Sequence, residues 1–229
     1  MERKAVYHGV KRAFDFFSAL IAFFVTLPIF LIVCAGIEIS DPGPVFYRAR
    51  RLGKGRKVFD MLKFRSMRMD ANADESRLTP DQSRIFPFGR VIRKTKMDEL
   101  PQLINVILGQ MSVVGPRPAA VDQACVTRGG ENEMVTDIRP GLTSPAAIYD
   151  YLYGDSITDE KEYNDKVLST RLKLDRYYVR SEALGLDLLL IGQTVSCIFK
   201  MITGASGKKL LAQWIDKVDG DRRALDEVK

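Results

Sequence analysis

The segment from Phe16 to Ile37 carries no charged residue, and this feature limits what the chain can fold into more than any other. A run of about twenty apolar residues is long enough to cross the hydrocarbon core of a bilayer. It is too long and too uniformly apolar for an ordinary core helix of a soluble domain. It is also long for the apolar part of a signal peptide, and no small-residue cleavage site follows it. The sequence therefore predicts a membrane element near the N-terminus.

Basic residues flank this run on both sides, with four before it and six between Arg48 and Lys57. Since basic flanks favour the cytoplasmic side, both ends are drawn to the same face of the membrane. A helix broken at Pro28, which enters the bilayer and leaves on the face it entered, satisfies both flanks. We predict this re-entrant arrangement, with the Thr26 hydroxyl bonding back to the carbonyl of Ala22 near the bend. A straight span that crosses the bilayer is the alternative.

Composition narrows the chemistry that the chain can perform. Its 229 residues suffice for one domain with a core, and the formal net charge of +6 favours anionic partners. The three cysteines are scattered, so they indicate neither a disulfide framework nor a zinc site. The only histidine, His8, leaves no room for a Ser-His-Asp or Cys-His arrangement in the body of the chain. Acid-base work must therefore fall to carboxylates, lysines or tyrosines.

Two adjacent carboxylates, Asp98 and Glu99, stand at the predicted start of a short helix, just before Pro101. A carboxylate near a helix N-terminus is held ionised by the local field, and it can then act as an anionic nucleophile or bind a divalent cation. Arg93 and Arg117 lie on either side in the sequence and are suited to neutralise phosphate oxygens. Acid pairs at helix starts are also common caps, so the pair alone does not decide between a structural and a chemical role.

Four short blocks, taken in order, resemble the signature of the bacterial sugar transferase family. They are Lys63–Met67, Met97–Leu103, Val114–Pro118 and Arg139–Thr143. The resemblance runs from about Val10 to Gln193. Members of this family are monotopic phosphoglycosyl transferases, which move a phosphosugar from a nucleotide sugar onto a polyprenyl phosphate. The chain departs from the family pattern at Leu27, where a serine is usual before the proline, and at 144–147, where Gly-Trp-Ala-Gln is usual.

The resemblance implies a mechanism and roles for particular residues. Asp98 would attack the sugar-bearing phosphorus of a UDP-sugar, release UMP and hold the phosphosugar covalently until undecaprenyl phosphate collects it. Mg²⁺ held by Asp98, with help from Glu99, would neutralise charge. The phosphate-binding side chains would be those of Arg93, Arg117, Lys63 and Arg139. Without the family match, Arg139–Gly141 reads as a salt-bridged surface turn.

The fold class predicted for the chain is α+β and mainly helical, with three parts. They are a re-entrant membrane helix with basic flanks at 1–40, a catalytic domain at 41–204 and an amphipathic tail at 205–229. Strands at 45–51 and 57–64 are joined by Gly53–Gly55, which we interpret as a hairpin turn although it weakly resembles a phosphate loop. The residues from Met69 to Ser83 are predicted to form a mobile surface loop.

Several helices are predicted beyond the hairpin. The patterns indicate helices over 97–108, ended by Gly109, over 119–127 and over 158–180, the last opened by a capping box of Ser156 and Asp159. A further apolar helix over 186–202 is interrupted by polar residues too often to span a bilayer, so it is interfacial or packed in the core. The tail helix either lies on headgroups, with Trp214 at the boundary, or packs against the body.

The resemblance and the predicted membrane element together place the chain at the cytoplasmic face of a bacterial inner membrane. There the basic residues after the apolar run would contact anionic lipids. A basic, membrane-bound scaffold without catalytic activity, in which the acid pair only caps a helix, is the competing interpretation. A nucleic-acid binder is not expected, because no aromatic-rich basic motif accompanies the net charge. The sequence does not indicate an oligomeric state or identify the sugar.

Overall fold

The described part of the chain is mainly helical, with two small two-stranded sheets, which confirms that the fold is α+β and mainly helical. The computed structural model describes residues 2–69, 79 and 81–227, and the side chains of residues 6–69, 79 and 81–226. Most of the predicted loop from Met69 to Ser83 lies outside the described residues. The strands are β1 Phe46–Leu52, β2 Val58–Phe64, β3 Ser112–Val114 and β4 Gly141–Thr143. The helices are α1 Glu2–Ser40, α2 Pro87–Lys94, α3 Gln102–Ile107, α4 Ala124–Thr127, α5 Pro145–Leu152, α6 Glu160–Tyr163, α7 Ser169–Ser181, α8 Leu184–Thr203, α9 Lys208–Lys217 and α10 Ala224–Glu227.

The first helix, α1, is one helical element that continues through Pro28 rather than ending there. The Thr26 hydroxyl donates to the carbonyl oxygen of Ala22 at 2.7 Å, as predicted. One face of α1 packs against the body near both ends. Lys11 pairs with Asp187 of α8 at 2.8 Å, and Ile37 is fully buried in a cluster with Phe64. The re-entrant topology therefore stays a prediction, and the helix is part of the body's packing.

Other faces of α1 are apolar and exposed, as is much of α8. Their exposed side chains include Phe17, Ile21, Val25 and Ile32 on α1 and Val195, Phe199 and Ile202 on α8. Both helices are long and apolar enough, by length and composition alone, to cross a bilayer. These two apolar helices are consistent with association of the protein with a membrane.

The antiparallel hairpin of β1 and β2 confirms the two strands that the sequence predicted. Tyr47 is opposite Lys63 in its register, and a single 3₁₀ turn, Lys54–Arg56, connects the strands. Gly55 adopts a positive φ of 63° in this turn, a conformation that glycine adopts at little cost. The chain leaves α1 through the predicted turn at Asp41–Pro44 and enters the hairpin directly.

A second sheet, which the sequence analysis did not predict, pairs β3 and β4 in parallel. It depends on close contact between two glycines. A Cβ at Gly141 would lie 2.1 Å from the backbone nitrogen of Gly115, where no side-chain movement can make room. The Gly141 amide also donates to the carbonyl oxygen of Pro116 at 2.9 Å, so this sheet fixes the backbone just before Arg117.

Gly141→Ala is therefore expected to destabilise the protein, by about 1–3 kcal/mol or more, because the overpacking falls on backbone atoms. Thermal unfolding in detergent measures the effect. The matched control is Gly185→Ala in α8, where an added Cβ meets nothing within 4 Å. In that helix, alanine is expected to be neutral or stabilising. Equal melting temperatures for the two variants would contradict the role of the glycine contact.

Two helical predictions need correction. The helix predicted over 158–180 is divided into α6, a π-helical turn Asn164–Leu168 and α7, and its cap is Asp159, whose carboxylate accepts from the Glu162 amide at 2.8 Å. The Ser156 hydroxyl instead donates to the backbone carbonyl oxygen of Tyr153. The helix predicted over 119–127 is confined to α4. Of the two alternatives for the tail helix, packing against the body is confirmed, because Trp214 of α9 is 1% exposed in a core cluster.

Candidate active site

The acid pair lies in a 3₁₀ turn, Met97–Glu99, directly before α3. Asp98 and Glu99 are 4% and 8% exposed, whereas a purely capping pair would face solvent. The residue before the turn, Lys96, adopts a left-handed conformation with φ of 58°. Such strain in a residue other than glycine is costly and occurs preferentially at functional sites. Gly109, with φ of 80°, ends the helical region, as the sequence predicted.

Lys63, from the end of β2, lies beside both carboxylates. Its Nζ is 4.0 Å from Asp98 Oδ2 and 3.6 Å from Glu99 Oε1. The hairpin thus places one cation against the acid pair from a part of the chain more than thirty residues away. Of the predicted phosphate-binding residues, Lys63 is the one in direct contact with the acids.

A cavity of about 300 Å³ contains the acid pair, and basic side chains line much of it. Arg93, from the last turn of α2, and Arg117 line it as well. The cavity lining also includes Thr79, Gln82, Lys94, Lys96, Asp150, Gly154, Asp155, Ile157, Tyr163, Arg171 and Met201. The structure therefore brings together five of the predicted site residues.

Arg117 is held by both its side chain and its backbone. Its Nε is 3.2 Å from Asp150 Oδ2, and its backbone amide donates to Asp175 Oδ1 at 3.1 Å. Arg128, itself paired with Asp175 at 3.2 Å, donates to the carbonyl oxygen of Arg117. These contacts present the guanidinium to the cavity in one orientation, which suits recognition of a phosphate oxygen.

Arg139 is the predicted site residue that the structure does not bring into this cavity. Its Nε donates to the carbonyl oxygen of Gly109 at 2.8 Å, just after α3, and it lines a separate small cavity with Arg12 and Lys54. Free carbonyls at the end of a helix attract a guanidinium. This contact accounts for the position of Arg139 without a ligand.

The pKa values of the two acids are shifted in opposite directions. Burial raises the pKa of Asp98, although Lys63 and Arg93 oppose the shift. Burial also acts on Glu99, but Lys63, Lys96 and Arg117 outweigh it and lower the pKa of Glu99 to about 2. Glu99 is therefore ionised at neutral pH, as the sequence analysis expected of the pair. For Asp98, burial acts against the expected effect of the helix start.

Tyr151 of α5 is a site residue that sequence reasoning missed. Its hydroxyl donates to Glu99 Oε2 at 2.7 Å, and the Lys96 ammonium lies 4.1 Å from the centre of its ring. Asp150 and Arg171 were also missed. They pair at 3.5 Å, and both line the cavity. No spacing in the sequence relates these residues to the acid pair, because α5 and α7 reach the cavity only through tertiary packing.

Asp98 Oδ1 is buried and has no hydrogen-bond partner within the described part of the chain. A buried carboxylate oxygen without a partner is costly, so it indicates a missing ligand such as a cation or a reacting atom. Mg²⁺ is typically held by one or two carboxylates, with water and substrate phosphates completing the shell. Asp98 and Glu99 fit that demand, whereas the described residues contain no cluster of three or more acidic, His or Cys side chains for a cage of protein ligands.

The arrangement combines a desolvated carboxylate with cations placed to receive a phosphate. A carboxylate can attack phosphorus, and fixed positive charge stabilises the charge that develops on the phosphoryl oxygens. No histidine lies among the residues that line the cavity. The cavity is therefore suited to group transfer in which charge neutralisation matters more than proton transfer.

Comparisons with known proteins agree with this chemistry. A family model described as bacterial sugar transferase matches residues 6–201. The exopolysaccharide production protein PSS of Rhizobium leguminosarum bv. phaseoli is 37% identical over 81% of this chain and 93% of its own length. Escherichia coli (strain K12) has a UDP-glucose:undecaprenyl-phosphate glucose-1-phosphate transferase that is 33% identical over 81% of this chain and 39% of its own length. A UDP-N-acetylgalactosamine-undecaprenyl-phosphate N-acetylgalactosaminephosphotransferase of Aeromonas hydrophila is 34% identical over 84% of this chain and 44% of its own length.

Proposed function

This chain belongs to the bacterial sugar transferase family, and from that membership we propose that it transfers a phosphosugar from a UDP-sugar to undecaprenyl phosphate. The observation that carries the proposal is the buried acid pair in a cavity lined by Lys63, Arg93 and Arg117. The names of the relatives support the substrate class, since two of them act on a UDP-sugar and undecaprenyl phosphate. The reaction would begin the membrane stage of glycoconjugate assembly, such as exopolysaccharide synthesis.

In the first step, a carboxylate oxygen of Asp98 attacks the phosphorus that bears the sugar. A bond forms between this oxygen and phosphorus, and the bond from phosphorus to the bridging diphosphate oxygen breaks, so UMP leaves with both electrons of that bond. Lys63, Arg93 and Arg117 stabilise the equatorial oxygens and the leaving phosphate. The product is an aspartyl phosphosugar on Asp98.

In the second step, a phosphate oxygen of undecaprenyl phosphate attacks the same phosphorus. The bond between phosphorus and Asp98 breaks and restores the free carboxylate, and the lipid carries the sugar on a diphosphate. No proton needs to be transferred in either step, since nucleophiles and leaving groups are anions. Two easier displacements thus replace one difficult one.

Mg²⁺ fits this site, with Asp98 as its ligand and Glu99 assisting directly or through water. When bound, the ion supplies Lewis-acid neutralisation of the diphosphate. Glu99 is suited to assist because it is ionised at neutral pH, and the Tyr151 hydroxyl fixes one of its oxygens. Lys63 and Arg93 favour the ionised form of Asp98, which is the nucleophilic form.

We place the protein at the cytoplasmic face of the bacterial inner membrane. One face of α1 contacts the body near its start, through Lys11, and near its end, through Ile37. A helix held to one body at both ends is hard to reconcile with a perpendicular span, and this supports an arrangement in which both ends of α1 lie on the same face of the bilayer. Basic residues of β1 and the following turn would then contact anionic headgroups, each worth about 1 kcal/mol near such a surface.

Purified protein incubated with undecaprenyl phosphate, Mg²⁺ and a panel of nucleotide sugars tests this function. We expect UMP release with at least one UDP-sugar, together with a lipid-linked sugar diphosphate. If the protein bound to membranes but released no UMP from any nucleotide sugar, a non-catalytic scaffold would be favoured. The panel also identifies the sugar.

Tyr151→Phe tests whether Glu99 must be held in place. The change removes one hydrogen bond to an ionised carboxylate and little volume, so kcat/KM for UMP release is expected to fall about 10- to 100-fold. The matched control is Tyr177→Phe, whose ring packs edge-on against Trp214 in the core, 6.1 Å between centroids. A rate unchanged by Tyr151→Phe would show that this hydrogen bond does not matter for the reaction.

A further inference from the structure

The side chain of Asn105, in α3, is hydrogen-bonded to the backbone of β2. Its Oδ1 accepts from the Leu62 amide at 2.9 Å, and its Nδ2 donates to the carbonyl oxygen of Asp60 at 2.8 Å. Because a backbone amide only donates and a carbonyl oxygen only accepts, these two partners determine the orientation of the Asn105 amide. The residue is 1% exposed, so bulk water does not compete for the two bonds.

Asn105 takes the place of one peptide unit of a third strand. In an antiparallel pair, only every second residue exchanges backbone hydrogen bonds with the partner strand. The hairpin register leaves the Leu62 amide and the Asp60 carbonyl pointing away from β1. An asparagine side chain carries the same amide group as the backbone, so it can bond both groups at once. The edge of β2 is thereby attached to α3 at one point.

This attachment lies next to Lys63, which directly follows Leu62 in β2. Alternate side chains of a strand share a face, so Lys63 lies on the same face as Phe59 and Met61. Those two side chains pack in one cluster with Leu103 of α3. Apolar contacts are non-directional and tolerate sliding, whereas hydrogen bonds need a narrow range of distance and angle. The amide contact therefore sets where β2 stands along α3.

The acid pair belongs to the other partner of this contact. Asp98 and Glu99 lie in the turn that leads into α3, and only two residues separate Glu99 from the start of the helix. Lys63 Nζ is 4.0 Å from Asp98 Oδ2 and 3.6 Å from Glu99 Oε1, and both distances exceed that of a hydrogen bond. The ion pairs alone therefore do not fix the position of Lys63, which depends on how β2 is held against α3.

We propose that Asn105 is a positioning residue, which holds β2 against α3 and so sets the distance between Lys63 and the two carboxylates. Asn105 does not line the cavity that contains Asp98, so it would act only through Lys63. A slip of β2 by one residue would turn Lys63 to the opposite face of the strand, and a smaller shift would weaken its contact with the acids. This inference rests on the proposed function for the role of Lys63, but the position of Lys63 can be measured without turnover.

The first test is zero-length cross-linking of the full chain in detergent. A carbodiimide joins an amine to a carboxylate only where the two are in contact, and burial lowers the pKa of Lys63, which favours the free amine that reacts. Mass spectrometry then measures the yield of the link between Lys63 and Asp98 or Glu99. This yield is expected to fall several-fold in Asn105→Leu, which keeps the volume of the side chain but removes both bonds to β2.

Two further variants complete the cross-linking test. Asn105→Ala leaves room for water at the edge of β2, so it keeps the test valid if Asn105→Leu folds poorly, and it should also lower the yield. The matched control is Gln110→Leu, at an exposed position. It removes the third bond of the Asn105 amide, at 2.6 Å, but neither bond to β2, so the yield should stay unchanged.

An ion pair that β2 does not carry is the internal control for local unfolding. Lys96 contacts Asp155 at the same cavity, and the cross-link between these two residues should keep its yield in every variant.

The second test separates positioning from a purely structural role. Asn105→Ala is expected to lower kcat/KM for UMP release about 10- to 100-fold, as a small misplacement of a reacting group does. In a Lys63→Met background the same change should lower kcat/KM little further, because two residues that act through one contact are not additive. A purely structural role would lower kcat/KM by the same factor in both backgrounds.

Three results would overturn the proposal. They are an unchanged Lys63 link in the Asn105 variants, an equal loss of the Lys63 and Lys96 links, and the same loss of kcat/KM in both backgrounds. Failure of the proposed function is a separate result, which would show as no UMP release by the wild-type protein from any nucleotide sugar. The cross-linking needs no reaction, so it would still decide whether Asn105 positions Lys63.

Discussion

Replacing Asp98 with asparagine is expected to abolish UMP release, with a loss of at least about 10⁴-fold in kcat. The amide is nearly the same size as the carboxylate but is neither anionic nor nucleophilic. The residue is 4% exposed and its carboxylate lies beside Lys63, so the variant removes the charge and keeps the shape. The measurement is UMP formation from the UDP-sugar identified by the panel, at equal amounts of folded protein.

The matched control is Asp137→Asn, at an exposed carboxylate outside the cavity, which should retain full activity. The covalent intermediate can also be tested directly on the wild-type protein. When the wild-type protein is incubated with the UDP-sugar but without the lipid acceptor and is then quenched, it should carry one phosphosugar on Asp98. Mass spectrometry of the peptide that contains residues 97–103 detects this adduct. Continued turnover by Asp98→Asn, or product formation without any such adduct, would exclude the covalent mechanism.

The second large effect is expected at Arg117. Arg117→Gln removes a fixed positive charge from the phosphate position and should lower kcat about 10²–10³-fold. Asp150 keeps a partner in Arg171 at 3.5 Å, so the fold should tolerate the change. Arg117→Lys retains charge but not the planar donor that faces Asp150 at 3.2 Å, and we expect an intermediate loss.

Arg90→Gln, on the exposed face of α2, is the control for the loss of one positive charge near the site. It should change kcat little. If Arg117→Gln raised KM for the UDP-sugar and left kcat unchanged, Arg117 would bind the ground state and the transition state equally. That result would remove it from the groups that stabilise the transition state.

Local sequence signals predicted much of the fold. The hairpin, the turn at Asp41–Pro44 and the end of the helical region at Gly109 each depend on a few neighbouring residues. The pairing of β3 with β4, by contrast, does not depend on neighbouring residues. Each strand has only three residues, and the pairing joins segments 29 positions apart, as in Ser112 with Gly141. No periodicity can develop over three residues, so this sheet could not be predicted from pattern.

Some residues of the candidate site could likewise be predicted from the sequence, and others could not. The family blocks supplied Lys63, Asp98, Glu99 and Arg117, the position upstream of the acid pair supplied Arg93, and all five line one cavity. The blocks also included Arg139, which a helix-end carbonyl holds elsewhere. Tyr151, Asp150 and Arg171 lie outside the blocks or carry no distinguishing spacing. Their relation to the acids exists only after α5 and α7 pack.

Hydrogen bonds between α1 and the body limit which substitutions α1 can accept. Asp15 accepts from the Ser112 hydroxyl at 2.7 Å and from the Val113 amide at 2.9 Å, while Arg12 holds the carbonyl oxygens of Val106 and Ile107 in α3. The long apolar helix α1 is thus hydrogen-bonded to β3 and α3, the short elements next to Arg117 and the acid pair. Any substitution that adapts α1 to a thicker or thinner bilayer would have to preserve these four hydrogen bonds, so the sequence of α1 is constrained by the candidate site as well as by its surroundings.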